Sequence, residues 1–348
     1  MTKKTFGFGI VGTGGIAGIH ALAINAIPNA KLIGAYSKSS ASAFAIANNC
    51  VAYNTLDDLL KADGLDIVCI CTPSGLHAEP ALKVIEAGKH CLIEKPLEVT
   101  LEKSDRIIEA AQKHNVLVGV VFPSRFYYSV SSLKNAIDTG RFGNLVMGSA
   151  YVKWSRTSEY YKSAAWRGTW EMDGGGALMN QAIHSVDMLQ WCMGPVESVM
   201  ALTTNVKHKD IEVEDTAVAI LRFANGAVGT IECSTAVYPG AFKKLEIMGT
   251  EGSVVINDNS ISEWKFSSAI SDDENMTAQS GGFLSAGGVA DPLSISYKGH
   301  QNQIEDLMEA IVTGKRPMVD AREGRKSVEI VLAIYKSART GEMVKLPL

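Results

Sequence analysis

The stretch Thr5-Phe-Gly-Phe-Gly-Ile-Val-Gly-Thr-Gly-Gly-Ile-Ala17 decides how the chain is read. Its first half is an apolar run of one strand's length, and Gly12-Thr-Gly-Gly-Ile-Ala17 matches the alanine form of G-x-G-x-x-G. Alone, such a match carries little. Here Phe6–Val11 reads as a strand before it and Ile16–Ile27 as a helix after it, which is the context the fingerprint requires. A turn of this kind aims backbone N–H groups and the positive end of a helix at a pyrophosphate. Gly12, Thr13, Gly14, Gly15 and Ile16 are therefore expected to hold a dinucleotide. The competing reading is a plain glycine-rich turn in an α/β fold.

Outward from that turn, strand and helix signals alternate through residues 5–121. Apolar runs at Thr5–Val11, Lys31–Tyr36, Asp66–Cys71, His90–Ile93 and Leu117–Val121 flank helical patterns such as Ala78–Ala87 and Leu101–Lys113. That alternation predicts a parallel sheet covered on both faces. After Phe122-Pro123 the pattern changes. A helix over Val130–Thr139 stops at Gly140, and strands follow at Leu145–Trp154, Val196–Asn205, Asp215–Phe223, Ala227–Thr235 and Lys243–Gly249. Ala224-Asn-Gly226 is a hairpin signal, because Asn and Gly tolerate positive φ. One helix, about Ala177–Met193, is inserted. Residues 267–296, rich in Ser, Gly and Asp, read as an irregular loop, and amphipathic helices near Asn302–Val312 and Arg322–Arg339 close the chain. The expected fold is an α/β Rossmann domain over residues 1–123. An α+β domain on an open, mostly antiparallel sheet follows over 124–348.

Bulk properties agree. A length of 348 residues suits two domains of roughly 150 residues each. With 46% hydrophobic and 20% charged residues the chain can build sizeable cores, and a net charge of −4 argues against a nucleic-acid surface. No apolar run is long enough for a membrane span. The N-terminal residues lead directly into a strand rather than a signal peptide. Cys69, Cys71, Cys91 and Cys233 lie in strand-like runs and no C-x-x-C pair occurs, so the six cysteines are read as reduced structural thiols and the protein as cytoplasmic.

The second strand is followed by Ser37-Lys38-Ser39, where an acid would recognise a ribose 2′-hydroxyl. A lysine with two hydroxyls suits a 2′-phosphate, so NADP is expected ahead of NAD. In Cys69-Ile-Cys-Thr-Pro-Ser-Gly-Leu-His77, the residues Thr72, Pro73 and His77 follow a parallel strand and should line the cofactor crevice. The same argument places Glu94 and Lys95 of Cys91-Leu-Ile-Glu-Lys-Pro-Leu97 beside the nicotinamide. A partly desolvated lysine next to a cationic ring has a lowered pKa and can serve as a base. A second constellation is Trp166-Arg-Gly-Thr-Trp-Glu-Met-Asp-Gly-Gly-Gly-Ala-Leu-Met-Asn-Gln-Ala-Ile-His-Ser-Val-Asp187. On its helix Asn180, His184 and Asp187 share one face at i, i+4 and i+7. His184 could exchange a proton with a substrate hydroxyl, Asn180 could hydrogen-bond it, and Asp187 could fix one imidazole tautomer.

These segments, with Arg125-Phe126 and Pro317…Gly324-Arg325…Ile334-Tyr335-Lys-Ser337, resemble the Gfo/Idh/MocA family of sugar and inositol oxidoreductases over essentially the whole chain. The resemblance implies hydride transfer between a nicotinamide and a secondary hydroxyl of a sugar, sugar nucleotide or cyclitol. It also implies a homodimer or homotetramer built through the C-terminal sheet. Lys95 and His184 match the family's catalytic positions. Where many members carry Asp four residues before the histidine, this chain has Asn180, which cannot accept a full proton. Proton transfer then falls mainly on Lys95, assisted by His184. Arg125, Tyr160, Tyr161, Trp166, Arg167, Asn180 and His300 are the candidate substrate contacts. The Trp166–Trp170 and Met179-Asn-Gln181 segments resemble the branch acting at C3 of UDP-N-acetylhexosaminuronic acids. Glycoside hydrolysis by transient oxidation with NAD, and a non-catalytic NAD(P)-binding regulator, remain as alternatives.

Overall fold

The structure, a computed structural model, describes residues 4–279 and 296–348. The chain divides into two compact units, Met1–Pro123 with Ser296–Arg325, and Ser124–Ile295 with Lys326–Leu348.

The first unit holds six strands: β1 (Phe6–Val11), β2 (Ala30–Tyr36), β3 (Val51–Tyr53), β4 (Leu65–Ile70), β5 (His90–Ile93) and β6 (Val118–Val120). They form one parallel sheet in the order β3-β2-β1-β4-β5-β6, the doubly wound order of a dinucleotide-binding domain. Every residue of β1 is buried, as expected for a central strand covered on both faces. The order reverses between β1 and β4, and ligands bind outside the carboxyl ends of the strands at such a point.

One boundary differs from the sequence expectation, which gives everything after residue 123 to the second domain. Helix Lys298–Thr313 belongs to the first unit, because Ile304, Leu307 and Met308 enter the core formed by Phe8, Ile10, Ala21 and Ile24. Their i, i+3, i+4 spacing puts them on one helix face. The Gln303 side chain accepts the Phe122 N–H (3.0 Å) and donates to the Val120 carbonyl (2.5 Å), fastening the helix to the end of β6.

The second unit carries β7 (Leu145–Lys153), β8 (Val196–Thr204), β9 (Thr216–Phe223), β10 (Val228–Ser234), β11 (Lys244–Gly249), β12 (Gly252–Asn257), β13 (Ser260–Phe266) and β14 (Val344–Lys345). They build an eight-stranded sheet, β13-β12-β11-β7-β10-β9-β8-β14, antiparallel except where β7 meets β10. In the β9–β10 turn only Gly226 uses positive φ, at +88°. Asn225 acts instead through its side chain, donating to the Met193 carbonyl and accepting the Ala227 N–H. The helix Ile183–Met193 covers the buried face of the sheet. At Gly148 of β7 a Cβ would meet Met193 Cγ at 2.6 Å, so a side chain there would push the helix off.

The segment expected to be an irregular loop from 267 begins with a tight helical turn, Ser271–Asn275, and a short helix, Met276–Gln279. Asp273 pins that turn by accepting both guanidinium arms of Arg141 (2.7 and 2.8 Å) and the Trp264 indole N–H (2.6 Å). The rest of that expectation, residues 280–295, lies outside the described residues. All six cysteines are free, five of them buried. No helix among the described residues is long and apolar enough to cross a membrane.

Candidate active site

Gly12 takes φ +88°, and a Cβ there would lie 2.6 Å from the Cys71 carbonyl oxygen, so only glycine lets the turn pass this close to the end of β4. Gly14, the N-cap of helix Gly15–Asn25, has no side chain to cap the first turn, and no acid occupies that turn. With no side-chain cap, the helix start offers backbone N–H groups and its positive end to an anion, so the residues present fit a pyrophosphate. At the end of β2, Ser37 Oγ lies 3.3 Å from Ser40 Oγ, and the Ser40 hydroxyl bonds that of Thr13. Lys38 and Ser39 are exposed. Ser40, passed over in the sequence, thus joins the glycine turn to the loop expected to read the ribose.

Thr72 Oγ1 donates to the Leu76 carbonyl (3.0 Å) and closes the Pro73-Ser-Gly-Leu turn. His77 is expected to line the cofactor, but its ring is 1% exposed. Its Nδ1 lies 2.8 Å from the Pro96 carbonyl oxygen and its Nε2 3.0 Å from that of Thr72. It braces the two loops against each other. Burial lowers its pKa, outweighing the two carbonyl contacts. Lys95 is half-buried just past β5, the strand paired with β4. Glu94 is buried against His20, with Nε2 2.8 Å from Oε1. His300, a candidate substrate contact, is 4% exposed, with Nε2 3.7 Å from the same Glu94 oxygen. Burial lowers its pKa although Glu94 favours the charged form. Its place is behind the Lys95 loop.

In the second unit the helical segment opens with a π-helix, Ala177–Ala182, before α-helix Ile183–Met193. Such wide turns occur often at functional sites. Along Ala177–Met193 only Asn180, His184 and Trp191 are not buried. Around Asn180 a polar network forms. Its amide donates to Asp173, while Gln181 Nε2 donates to Asn180 Oδ1 (2.5 Å) and to Tyr160 Oη (2.8 Å). Arg167 Nη1 donates to Tyr160 Oη (2.7 Å), and its guanidinium stacks 4.6 Å from the half-buried Trp166 ring. Arg156 Nη2 donates to Gln181 Oε1 at 2.7 Å. Tyr161 Oη bonds Thr235 Oγ1 (2.8 Å), and burial pushes both phenols up, so they stay neutral. Asp173, Gln181 and Arg156 were not singled out from the sequence. Asp173 stands immediately before the glycine run, where a buried acid could have been suspected.

Two expectations change. Arg125 does not face a substrate: it is 0% exposed and grips Asp187 with both arms, Nε to Oδ2 at 2.8 Å and Nη2 to Oδ1 at 2.6 Å. The Asp187 carboxylate, expected to fix an imidazole, accepts from Arg125 and from Ser327 Oγ at 3.2 Å.

Glu214 supports the π-helix from below. It accepts the N–H groups of Gly176 (3.0 Å) and Leu178 (2.8 Å) and the Tyr335 hydroxyl (3.0 Å). Burial outweighs these bonds and pushes its pKa up from 4.5 to about 7. The folded protein therefore holds this proton more tightly than the unfolded chain. Its stabilising contribution is full below about pH 4.5 and is lost as pH rises through about 7. From acid to mildly alkaline pH, the wild type should lose roughly 3 kcal/mol more unfolding free energy than Glu214→Gln, at ~1.4 kcal/mol per pKa unit. Denaturant titrations of both proteins across that range read the difference, and parallel pH slopes would refute it.

Residues 6–122 match the oxidoreductase family model for the NAD-binding Rossmann fold, and residues 130–255 match the Gfo/Idh/MocA C-terminal domain. The chain is 30% identical over 270 residues to the uncharacterized oxidoreductase YrbE of Bacillus subtilis, covering 75% of each. It is 35% identical to the WlbA dehydrogenase of Bordetella pertussis, solved with NADH and UDP-GlcNAcA, covering 99% of this chain and 100% of that one with a TM-score of 0.88. The WlbA dehydrogenase of Chromobacterium violaceum, solved with the same two ligands, is also 35% identical, covering 100% and 98% with a TM-score of 0.90.

Proposed function

The chain belongs to the Gfo/Idh/MocA family of NAD(P)-dependent oxidoreductases, and from that premise we propose that it oxidises a secondary hydroxyl of a UDP-N-acetylhexosaminuronic acid with NAD. The observation that carries this reading is 35% identity across the whole chain to two enzymes solved with NADH and UDP-GlcNAcA. Bound NAD supplies the hydride acceptor. The glycine turn and the start of helix Gly15–Asn25 bind its pyrophosphate. Lys95 takes the hydroxyl proton as the C–H bond breaks, with His184 assisting, and Asn180 holds the hydroxyl in place. Arg167 suits the substrate's anionic groups, because a planar guanidinium binds carboxylate or phosphate through two donors.

NAD replaces the NADP expected from Ser37-Lys38-Ser39. Both 35%-identical enzymes carry NADH. The Ser37, Ser40 and Thr13 hydroxyls engage one another, so Lys38 is the cation this turn offers a 2′-phosphate. Initial rates with UDP-sugars, inositols, free aldoses and glycosides, followed by absorbance of the reduced nicotinamide, test the reading. Acidic UDP-sugars should be fastest, with kcat/KM for NAD above that for NADP by about tenfold, the worth of one hydrogen bond to a charged group. Turnover confined to neutral sugars, or an NADP preference, would overturn it.

The open face of the second unit's sheet is proposed to join copies of the chain. Cross-strand partners Met200 and Ile220, and Leu202 and Val218, all stand exposed, Leu202 at 76%. Molar mass in solution tests this, and a monomer at micromolar concentration would exclude it. The six free thiols support a cytoplasmic location within the same proposal.

A further inference from the structure

We infer that His20 and His300 are positioning residues for Lys95, acting through the Glu94 carboxylate; this rests on the reading of Lys95 as proton acceptor. All four belong to the first unit. His20, fully buried on the helix that starts at the glycine turn, places Nε2 2.8 Å from Glu94 Oε1. His300, on helix Lys298–Thr313, places Nε2 3.7 Å from the same oxygen, within ion-pair reach but too far for a hydrogen bond. The two rings meet edge to face with centroids 5.3 Å apart. The other Glu94 oxygen accepts the backbone N–H of Lys95 at 3.2 Å. One carboxylate thereby ties the pyrophosphate-side helix and helix Lys298–Thr313 to the backbone that carries the lysine.

The tie works only while the carboxyl is ionised, with both oxygens accepting. Burial alone would raise its pKa, but the imidazoles of His20 and His300 hold it well below the usual carboxylate range. The three ligand atoms lie within 4.8 Å of one another, which a divalent cation also tolerates. The outer nitrogens argue otherwise. A metal-bound imidazole hands its remote N–H to an oxygen, whereas Nδ1 of His300 is buried with no hydrogen-bond partner among the described residues and the His20 ring has the Cys69 and Cys71 thiols beside it. The cluster is built to hold the Glu94 carboxylate, by the hydrogen bond from His20 and the close approach of His300, rather than a cation.

The test compares His20→Leu, which removes the donor, with His20→Gln, which keeps one near the Nε2 position. His20→Leu should speed amide exchange over residues 94–97, read by mass spectrometry, with the rest of the first unit unchanged. It should also lower kcat by ~10–100-fold with NADH affinity within about threefold, as for a lysine displaced by a fraction of an ångström. His20→Gln should recover both. Glu94→Gln should reproduce the His20→Leu exchange pattern, and it carries the test if His20→Leu does not fold. Unchanged exchange over 94–97 in a folded variant, or His20→Gln as impaired as His20→Leu, would overturn the inference. If the wild type oxidises no sugar, the exchange data still decide this inference while the proposed function falls.

Discussion

Lys95→Ala will lower kcat by about a thousandfold, a typical contribution of one general acid–base group, while NADH binding stays within a few-fold of wild type. The split follows from where the residue sits. In the proposed mechanism the pyrophosphate is held by Gly12–Ile16 and the start of helix Gly15–Asn25, while Lys95 takes the proton. Lys95 follows β5, next to β4 in the sheet, so it stands at the carboxyl edge where doubly wound sheets bind their ligands. Lys95→Arg should fail almost as badly. Arginine keeps the positive charge but stays protonated at any working pH, so it cannot accept the hydroxyl proton. The two variants together separate proton transfer from charge. A Lys95→Ala enzyme retaining more than about a tenth of wild-type kcat would remove this residue from the mechanism.

The first unit was legible because its central strands are buried on both faces and so read as unbroken apolar runs. β3 escaped notice because Val51–Tyr53 is a three-residue edge strand with no buried position. The allegiance of helix Lys298–Thr313 was hidden for another reason. Its apolar stripe shows a helix, yet nothing local says that the stripe meets Phe8 and Ile10, almost three hundred positions earlier in the chain. Site residues divide in the same way. The glycine turn, Lys95 and the half-exposed pair Asn180 and His184 depend on local context. Arg125, His77 and His300 carry side chains that suit ligands, but each is buried against a partner fixed only by the tertiary fold. Asp173 and Gln181 enter the Asn180 network through contacts that no spacing rule encodes.

Asp187→Ala will destabilise the second unit by about 3–5 kcal/mol, the usual cost of leaving one partner of a dry ion pair without the other. Both side chains are 0% exposed, and Arg125 meets the carboxylate with two parallel bonds of 2.8 and 2.6 Å. Its guanidinium also lies 4.8 Å from the Trp191 ring, so it cannot swing to water without opening that contact. Asp187→Asn keeps the shape and one acceptor, and its loss should fall below that of the alanine variant. The double variant Arg125→Met with Asp187→Leu should recover most of the lost stability, since an apolar pair of similar size removes both desolvation terms. Urea unfolding of the wild type, Arg125→Met, Asp187→Leu and the double variant closes a double-mutant cycle and isolates the coupling between the two side chains. An Asp187→Ala loss under about 1 kcal/mol would mean that water reaches Arg125, contrary to its burial. Activity should follow a different course from stability. Asp187 lies three residues beyond His184 on the same helix, so Asp187→Asn at permissive temperature should lower kcat only modestly. The pair fixes the helix that carries His184, whereas in the proposed mechanism the proton goes to Lys95.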